Sequence, residues 1–160
     1  MDEIDVIYAE HFRSVYRYAL SLCRNEAMAE DVTSETFLKA MGAIDRFRGE
    51  CGVKVWLCQI AKHTYFSLLK KSKGEAYIDD LEVEIESDGP DFTEKLLDKA
   101  SALEIHRCLR GLEEPYKEVF SLRTFGELSF AEIAELFGKT ENWARVTYHR
   151  SKLKIKEALP

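Results

Sequence analysis

The chain has 160 residues, of which 32% are charged, and a formal net charge of −6 at pH 7. This composition is typical of a soluble protein with one medium or two small domains, and no apolar run approaches the length of a membrane span. The N-terminal stretch MDEIDVIYAEHF is acidic, whereas a secretory signal peptide begins with basic and then apolar residues. We therefore expect a cytoplasmic protein.

The cysteines Cys23, Cys51, Cys58 and Cys108 lack the spacing of a disulfide framework or of a two-pair zinc site. Cys51, Cys58 and His63 are the best candidates for a metal site, but Cys58 and His63 lie five positions apart on a predicted helix and point in different directions. Free thiols are therefore favoured over a metal. The sequence has no local catalytic motif, so we expect no enzyme activity, cofactor or small-molecule substrate.

Charge is distributed in blocks along the chain. Residues 37–74 have eight basic and two acidic side chains, and residues 75–94 have nine acidic and no basic ones. Blocks of opposite sign in a short chain predict basic surfaces separated by an acidic tether. We expect the tether to compete with DNA for those basic surfaces in the free protein.

Apolar residues recur at helical spacing through the first half of the chain. They predict a first helix around Phe12–Leu20, and a second from about Ala27 to Ile44 with Asn25 before it as a weak stop or an N-cap. A third helix is predicted from near Val53 to the segment KKSKG at residues 70–74. One row of the first helix contains Phe12 and Tyr16, and one row of the second contains Phe37 and Met41. We therefore predict an all-α body over residues 1–74.

Residues 75–94 form the predicted linker. The alternation LEVEIE at 81–86 is compatible with a short strand, but a single strand has no partner among helices, which favours an extended tether. Helical spacing resumes at Phe92 and includes Leu96, Ala100 and Leu109. We therefore predict a second helical domain over residues 95–160.

The last thirty residues predict a helix-turn-helix. Ser129 and Glu132 have the spacing of a capping box, Gly138 is placed for a left-handed helix stop, and Thr140 can cap a longer second helix. One face of that helix is small or apolar, and the neighbouring face is cationic. The first face contains Ala144, Tyr148, Ser151 and Ile155, and the second contains Arg145, His149, Lys152 and Lys156.

The cationic face has two interpretations. It could read DNA while the apolar face packs on its own domain, or it could be a solvated basic helix that complements the helix dipole. The capped first helix and the glycine turn favour DNA binding.

The loop at residues 46–52 provides a second nucleic-acid signal. Arg46, Phe47 and Arg48 precede the third helix, in which cationic and aromatic residues alternate, a combination that can follow phosphates and stack unpaired bases. Trp56 lies in the apolar row, so a core position is favoured for it. Residues of a glycine-rich loop contribute little to packing, so a functional role is favoured for Arg46, Phe47 and Arg48.

Two segments resemble one known family. Residues 30–71, EDVTSETFLKAMGAIDRFRGECGVKVWLCQIAKHTYFSLLKK, closely resemble region 2 of extracytoplasmic-function sigma factors, and residues 109–159 resemble their region 4. The resemblance implies two small helical domains joined by an acidic linker. It also implies a promoter-specificity subunit that directs bacterial core RNA polymerase to stress-type promoters.

In that family the second helix binds the coiled coil of the polymerase β′ subunit, and region 4 binds the β flap. The outward row of this chain, at i, i+4 and i+8, is suitably placed for the first contact. The implied polymerase contacts are Asp31, Glu35 and Lys39, with a contribution from Phe37.

The resemblance further implies that the loop and third helix open and read the minus-ten element around a flipped base, and that the last helix reads the minus-thirty-five element in the major groove. The implied DNA contacts are Arg46, Phe47, Arg48, Lys54, Lys62 and Tyr65 in the first domain, and Asn142, Arg145, Val146, His149, Arg150 and Lys152 in the second.

The start of the last helix departs from the family, which usually has small and β-branched residues where this chain has Asn142, Trp143 and Ala144. This departure leaves the base sequence of the minus-thirty-five site open. No regulatory domain is evident, so we expect control by an anti-sigma factor, which in this family is often membrane-anchored. We expect the protein at the nucleoid when active and at the inner face of the membrane when sequestered. A stand-alone helix-turn-helix regulator and a protein-binding adaptor are the alternatives.

Overall fold

A computed structural model describes residues 3–47, 49, 52–71 and 102–159 of the chain. These residues form α-helices and one short 3-10 turn and contain no strand, which confirms the predicted all-α class. The chain divides into two compact units, residues 1–80 and 81–160. The division falls within the predicted linker, and the domain boundaries 1–74, 75–94 and 95–160 stay a prediction.

The first unit is a three-helix bundle in which each helix packs against the other two. Its elements are α1 (Glu3–Cys23), α2 (Glu26–Ala43), the 3-10 turn Ile44–Arg46 and α3 (Val53–Lys71). The bundle core is aliphatic and aromatic. Its largest fully buried side chains are Val15, Tyr18, Leu20, Val32, Val55 and Leu57.

Local capping determines where α2 begins. The Asn25 backbone is extended, and its Oδ1 atom accepts a hydrogen bond of 2.9 Å from the backbone N–H of Met28. This bond satisfies one of the N–H groups that lack a partner in the first turn of a helix. The predicted N-cap is therefore confirmed, and α3 begins at Val53 as predicted.

Two of the predicted apolar rows lie partly outside the core. Phe12 is exposed and Tyr16 only half-buried, although Val15 and Ala19 beside them are fully buried. Met41 is 51% exposed, whereas Phe37, one turn earlier in the same row, is 6% exposed. Helical spacing gives the direction of a side chain but not the extent of the neighbouring helix, so it does not predict which residues of a row are buried.

The second unit is built around its last helix. Its described elements are α4 (Ala102–Arg110), α5 (Tyr116–Thr124), α6 (Phe130–Phe137) and α7 (Glu141–Ala158), and α7 packs against each of the other three. Most of the predicted apolar residues lie in its core, but Leu112, Leu136 and Phe137 are only half-buried. The largest fully buried side chains are Leu109, Phe120, Leu122, Leu128, Ile133 and Ile155.

Some predictions fall outside the described residues. These are the extended tether, the alternative strand at 81–86, and the helical positions Phe92, Leu96 and Ala100. Among the helices that are described, none is both long and apolar enough to cross a membrane.

Candidate nucleic-acid and protein interfaces

The helix-turn-helix is formed by α6 and α7, and each of its predicted local signals is present. The Ser129 hydroxyl accepts a bond of 3.1 Å from the Glu132 backbone N–H, and the Glu132 carboxylate accepts one of 2.9 Å from the Ser129 N–H. Gly138 is left-handed, with φ of 63°, and Thr140 Oγ1 accepts from the Trp143 N–H at 3.0 Å. The capping box, the turn and the second cap are therefore confirmed.

Aromatic contacts hold α7 in place. The Trp143 ring packs on Phe137 across the turn, with centroids 5.3 Å apart. Tyr148 is buried against Phe120 and Phe130, at centroid distances of 6.0 and 5.6 Å. Trp143, which departs from the family pattern, therefore packs the start of α7 against the end of α6.

The packing face of α7 was predicted correctly: Ala144, Tyr148, Ser151 and Ile155 are all buried. The opposite side of the helix is polar and cationic, and Val146 is an exposed apolar residue on it. Among the predicted DNA contacts, Asn142, Arg145, Val146, His149 and Arg150 are exposed there, and Lys152 is half-buried. The structure therefore brings all six onto one solvent-facing arc.

Arg145 contacts one residue of its own helix and one residue of α6. Its Nη2 atom lies 3.1 Å from Glu141 Oε1, and its guanidinium lies 5.1 Å from the centroid of the Phe130 ring. Exposed ion pairs contribute between zero and about 1 kcal/mol to stability. The pair therefore orients Arg145 near the start of α7 with little effect on folding.

Sequence analysis did not select Arg123 on α5, which also lies against Phe130. The Arg123 guanidinium lies 4.4 Å from the Phe130 centroid and donates a hydrogen bond of 3.0 Å to the Leu128 carbonyl. Its Nε atom is buried and has no hydrogen-bond partner in the described part of the chain. Burial and the nearby Arg123 charge both lower the pKa of Lys152. Arg123 and Arg145 thus both lie against Phe130, and Lys152, whose Nζ lies 5.2 Å from the Tyr148 centroid, is close to Arg123.

A stacked aromatic pair joins the loop before α3 to the first turn of α3. The rings of Phe47 and Trp56 lie with centroids 4.5 Å apart and planes 22° from parallel. Both residues are half-buried, so the core position favoured for Trp56 was only partly correct. Arg46 is exposed at the end of the 3-10 turn, and Arg48 lies outside the described residues.

The candidate DNA residues of α3 are less exposed than the sequence suggested. Lys54, Lys62 and Tyr65 are half-buried, and each makes interactions within the protein. The exposed row of α3 contains residues that are not among the predicted DNA contacts. These are Gln59, His63, Phe66 and Lys70.

The outward row of α2 is exposed as expected. Asp31, Glu35 and Lys39 all face solvent, and Lys39 Nζ donates a hydrogen bond of 3.0 Å to the Thr64 hydroxyl on α3. This bond holds Lys39 against α3. Asp31 and Glu35 are the acidic, exposed part of the row.

Phe37 is less exposed than the sequence suggested. Its side chain is buried at the α1–α2 contact, 4.9 Å from the Tyr8 ring and 6.4 Å from the Phe12 ring. It supports these two rings from below, and its role as a polymerase contact stays a prediction. The exposed apolar residues on this side of α2 are instead Leu38 and Met41, which sequence reasoning did not assign to the surface.

The candidate metal ligands do not converge. Cys58 is buried, His63 is exposed, and Cys51 lies outside the described residues. Within the described ranges no three His, Cys, Asp or Glu side chains are placed to hold a metal ion. Cys23 and Cys108 are half-buried thiols, and the Cys23 Sγ atom donates a hydrogen bond of 2.9 Å to the Ala19 carbonyl.

Comparison with known families gives two matches in chain order. Residues 7–75 match the family described as Sigma-70 region 2, and residues 102–155 match Sigma-70, region 4. The matched ranges coincide with the three-helix unit and with the unit that contains the helix-turn-helix.

Similar proteins match over nearly the whole chain. The RNA polymerase sigma factor YlaC of Bacillus subtilis is 27% identical over 158 residues, which cover 98% of this chain and 91% of that protein. The sigma factor SigM of the same organism, of the extracytoplasmic-function class, is 29% identical over 157 residues, covering 96% and 93%.

Solved structures share the fold. The sigma factor RpoE of Bartonella quintana, crystallised with the anti-sigma factor NepR, has a TM-score of 0.73 at 18% identity and covers 99% of this chain and 97% of that chain. CnrH, in complex with the cytosolic domain of CnrY, has a TM-score of 0.66 at 19% identity, covering 96% and 85%.

An exposed cationic recognition helix and a separate three-helix unit with an aromatic loop define a two-domain transcription factor. The paired region 2 and region 4 matches specify which kind. The chain belongs to the sigma-70 family of RNA polymerase sigma factors, in its extracytoplasmic-function branch.

Proposed function

We propose that the chain binds core RNA polymerase and directs it to a specific class of promoters as a sigma subunit. One observation carries this assignment: a single chain contains, in family order, a helix-turn-helix with a cationic exposed arc and a three-helix unit with an acidic outward row. A sigma factor determines where transcription begins and is not itself an enzyme.

The contact with core polymerase is assigned to the outward face of α2. Asp31 and Glu35 lie one turn apart, where like charges weaken an isolated helix by a few tenths of a kcal/mol. Leu38 and Met41 continue this face as exposed apolar side chains. A small apolar surface beside fixed charges is typical of a protein–protein contact.

The minus-ten contact is assigned to the loop that begins at Arg46 and to the start of α3. Phe47 and Trp56 already form a stack, to which an unpaired base can add as a third ring. Arg46 is exposed beside them and can meet the phosphate of an extruded nucleotide. This arrangement favours single-stranded DNA over duplex.

The minus-thirty-five contact is assigned to α7, with bases read by Asn142, Arg145, Val146, His149 and Arg150 on its exposed arc. Arg123 and Lys152 lie at the edge of the arc, where α5, α6 and α7 meet. Two cations held close together gain from an anion between them, so this edge suits a backbone phosphate.

Control is assigned to an anti-sigma protein. The solved structures with this fold include sigma factors in complex with NepR and with the cytosolic domain of CnrY, which supports the same type of partner here. We place the protein in the cytoplasm, at the nucleoid when active and at the inner face of the membrane when its regulator is membrane-anchored.

Run-off transcription with purified core polymerase and a promoter library tests the proposal. Promoter-specific transcripts that require both the chain and core polymerase would support it. Tight duplex binding without core polymerase, and no transcripts with it, would identify a stand-alone regulator. Neither activity would identify an adaptor that binds protein only.

A further inference from the structure

Three residues of α7 lie close to one line on the side opposite its buried stripe. Val146 follows Asn142 by four positions and Leu153 follows Val146 by seven, so all three point in nearly the same direction. They are exposed, whereas Ser151 on the opposite side of the helix is 0% exposed. We call Asn142, Val146 and Leu153 the outward line of α7. When a recognition helix enters the major groove, the first turns of such a line face the base edges.

Cations flank the outward line on both sides. Arg145 and Lys152 lie seven positions apart along one flank, with His149 between that flank and the line, and Arg150 lies on the other flank. Cationic side chains bond to phosphates or to the acceptor edge of guanine. Val146 has no hydrogen-bonding group in its side chain, so it makes neither kind of contact and must recognise DNA in another way.

Val146 is open to a ligand, whereas the larger apolar groups around it are already in contact with protein. Its exposed fraction is 38%. The Trp143 ring packs on Phe137, and the Phe130 ring lies against two guanidinium groups. Within the described part of the helix-turn-helix, Val146 is therefore the large apolar side chain that a base can reach in the first two turns of α7.

Thymine has the apolar group that fits this position. It presents its C5 methyl group in the major groove, whereas adenine, guanine and cytosine present polar edges without a methyl group. Contact between that methyl group and Val146 removes apolar surface of both from water. A polar base edge placed against Val146 would instead lose its hydrogen bonds to water without a replacement. Val146 therefore favours thymine and disfavours the other bases.

We infer that Val146 selects a thymine in the minus-thirty-five element through contact with its C5 methyl group. Asn142, one turn nearer the start of α7, has the amide that pairs with the N6 and N7 edge of adenine. Four residues of helix rise about 6 Å, close to two base-pair steps, so the preferred element has two A·T pairs within about two steps of each other. The inference rests on the proposed function, because it names the base that the recognition helix selects.

Replacement of thymine by deoxyuridine tests the inference, because it removes the C5 methyl group and leaves every hydrogen-bonding group of the base in place. The full chain is assembled with core polymerase. The preferred promoter from the run-off experiment is synthesised with each minus-thirty-five thymine, on either strand, replaced in turn. Affinity of the holoenzyme for each duplex is measured by fluorescence anisotropy at one fixed salt concentration, since salt alone changes DNA affinity.

With the wild-type chain, we expect deoxyuridine at one position to weaken binding about threefold to fivefold, the effect of one buried methyl group. Val146→Ser removes both methyl groups of the side chain. This variant should bind the thymine and deoxyuridine duplexes equally at that position. A C·G pair placed there should bind the wild-type holoenzyme more tightly when its cytosine is 5-methylcytosine, because the methyl group is restored on a different base.

Two control variants separate the methyl contact from other effects on α7. Leu153→Ser removes an apolar side chain that is 47% exposed on the same line, but two turns further from the helix start that enters the groove. Asn142→Ala removes the amide one turn before Val146 and should relax an adenine preference. Both controls should keep the deoxyuridine effect, and a thermal melt checks that each variant is folded.

Three results would overturn the inference and leave the proposed function intact. They are equal affinity for thymine and deoxyuridine at every position, a deoxyuridine effect that persists in Val146→Ser, and a preferred minus-thirty-five element without an A·T pair. If the wild-type chain gives no promoter-specific transcripts with core polymerase, the proposed function itself is wrong.

Discussion

Phe47 and Trp56 are stacked in the free protein, with ring centroids 4.5 Å apart and planes 22° from parallel. Phe47 follows the 3-10 turn, and Trp56 lies in the first turn of α3. Movement of the loop relative to α3 would separate the two rings. Aromatic pairs of this type contribute about 0.5–1.5 kcal/mol beyond the burial of their area. The pair therefore holds the start of the loop against α3.

Phe47→Ala should impair promoter opening and leave recruitment unchanged. Loss of one stacking ring removes about 1–3 kcal/mol of base–aromatic stacking energy. This energy stabilises the complex only after a base has left the duplex. Permanganate reactivity of the minus-ten region should fall, while closed-complex affinity stays near that of the wild type. Phe66→Ala, an exposed aromatic on α3, is the control. A shift in minus-thirty-five preference would contradict the assignment.

Exchange of the whole loop, residues 46–52, for that of a related sigma factor is a stronger form of the same prediction. We expect the minus-ten preference to follow the donor loop and the minus-thirty-five preference to stay. A selection over promoters randomised at both elements measures the two preferences in one experiment. Movement of both preferences would mean that the loop acts on the fold and not on base recognition.

Asp31→Ala with Glu35→Ala should weaken core binding without loss of stability. Both side chains are exposed, and substitutions of this kind usually change the free energy of unfolding by less than about 0.5 kcal/mol. Glu3→Ala with Glu10→Ala removes two exposed carboxylates from α1 and is the matched control. Equal core affinity of the two double variants would remove Asp31 and Glu35 from the interface.

Two glycines should respond to alanine with opposite signs. Gly138 has φ of +63° at the end of α6, and Gly42 lies inside α2; an added Cβ meets nothing within 4 Å at either position. Gly138→Ala should therefore cost about 1 kcal/mol through backbone strain alone. Gly42→Ala should stabilise the chain by up to about 1 kcal/mol through helix propensity. Chemical denaturation measures both, and a shift of the same sign would contradict this account.

Local signals were the part of the fold that sequence could predict. The caps at Asn25, Ser129 and Thr140 and the stop at Gly138 depend on residues at most four positions apart, and all four are confirmed. The buried stripe of α7 was equally predictable, because its period is that of the helix itself.

Contacts between helices were not predictable in the same way. Phe37 was assigned to the polymerase surface, but Tyr8 and Phe12 from another helix cover it. The approach of Arg123 to Phe130 depends on how α5 meets α6, and no spacing in the chain encodes that angle. The exposed and buried faces of each helix were therefore predictable from the sequence, and the contacts between helices were not.

Arg145→Ala should relax the minus-thirty-five preference at one or two positions. Arg145 lies in the first turns of α7, the end of a recognition helix that enters the major groove most deeply, and Glu141 orients it at 3.1 Å. An arginine that is bidentate to guanine provides about 1–3 kcal/mol of discrimination, whereas a phosphate contact affects all sequences alike. Lys156→Ala is the matched control, because Lys156 is exposed three residues before the end of the described chain, and its loss should weaken binding to all sequences alike. A selection over randomised minus-thirty-five sites with the polymerase holoenzyme separates the two patterns. A uniform loss for Arg145→Ala would reassign this residue to the DNA backbone.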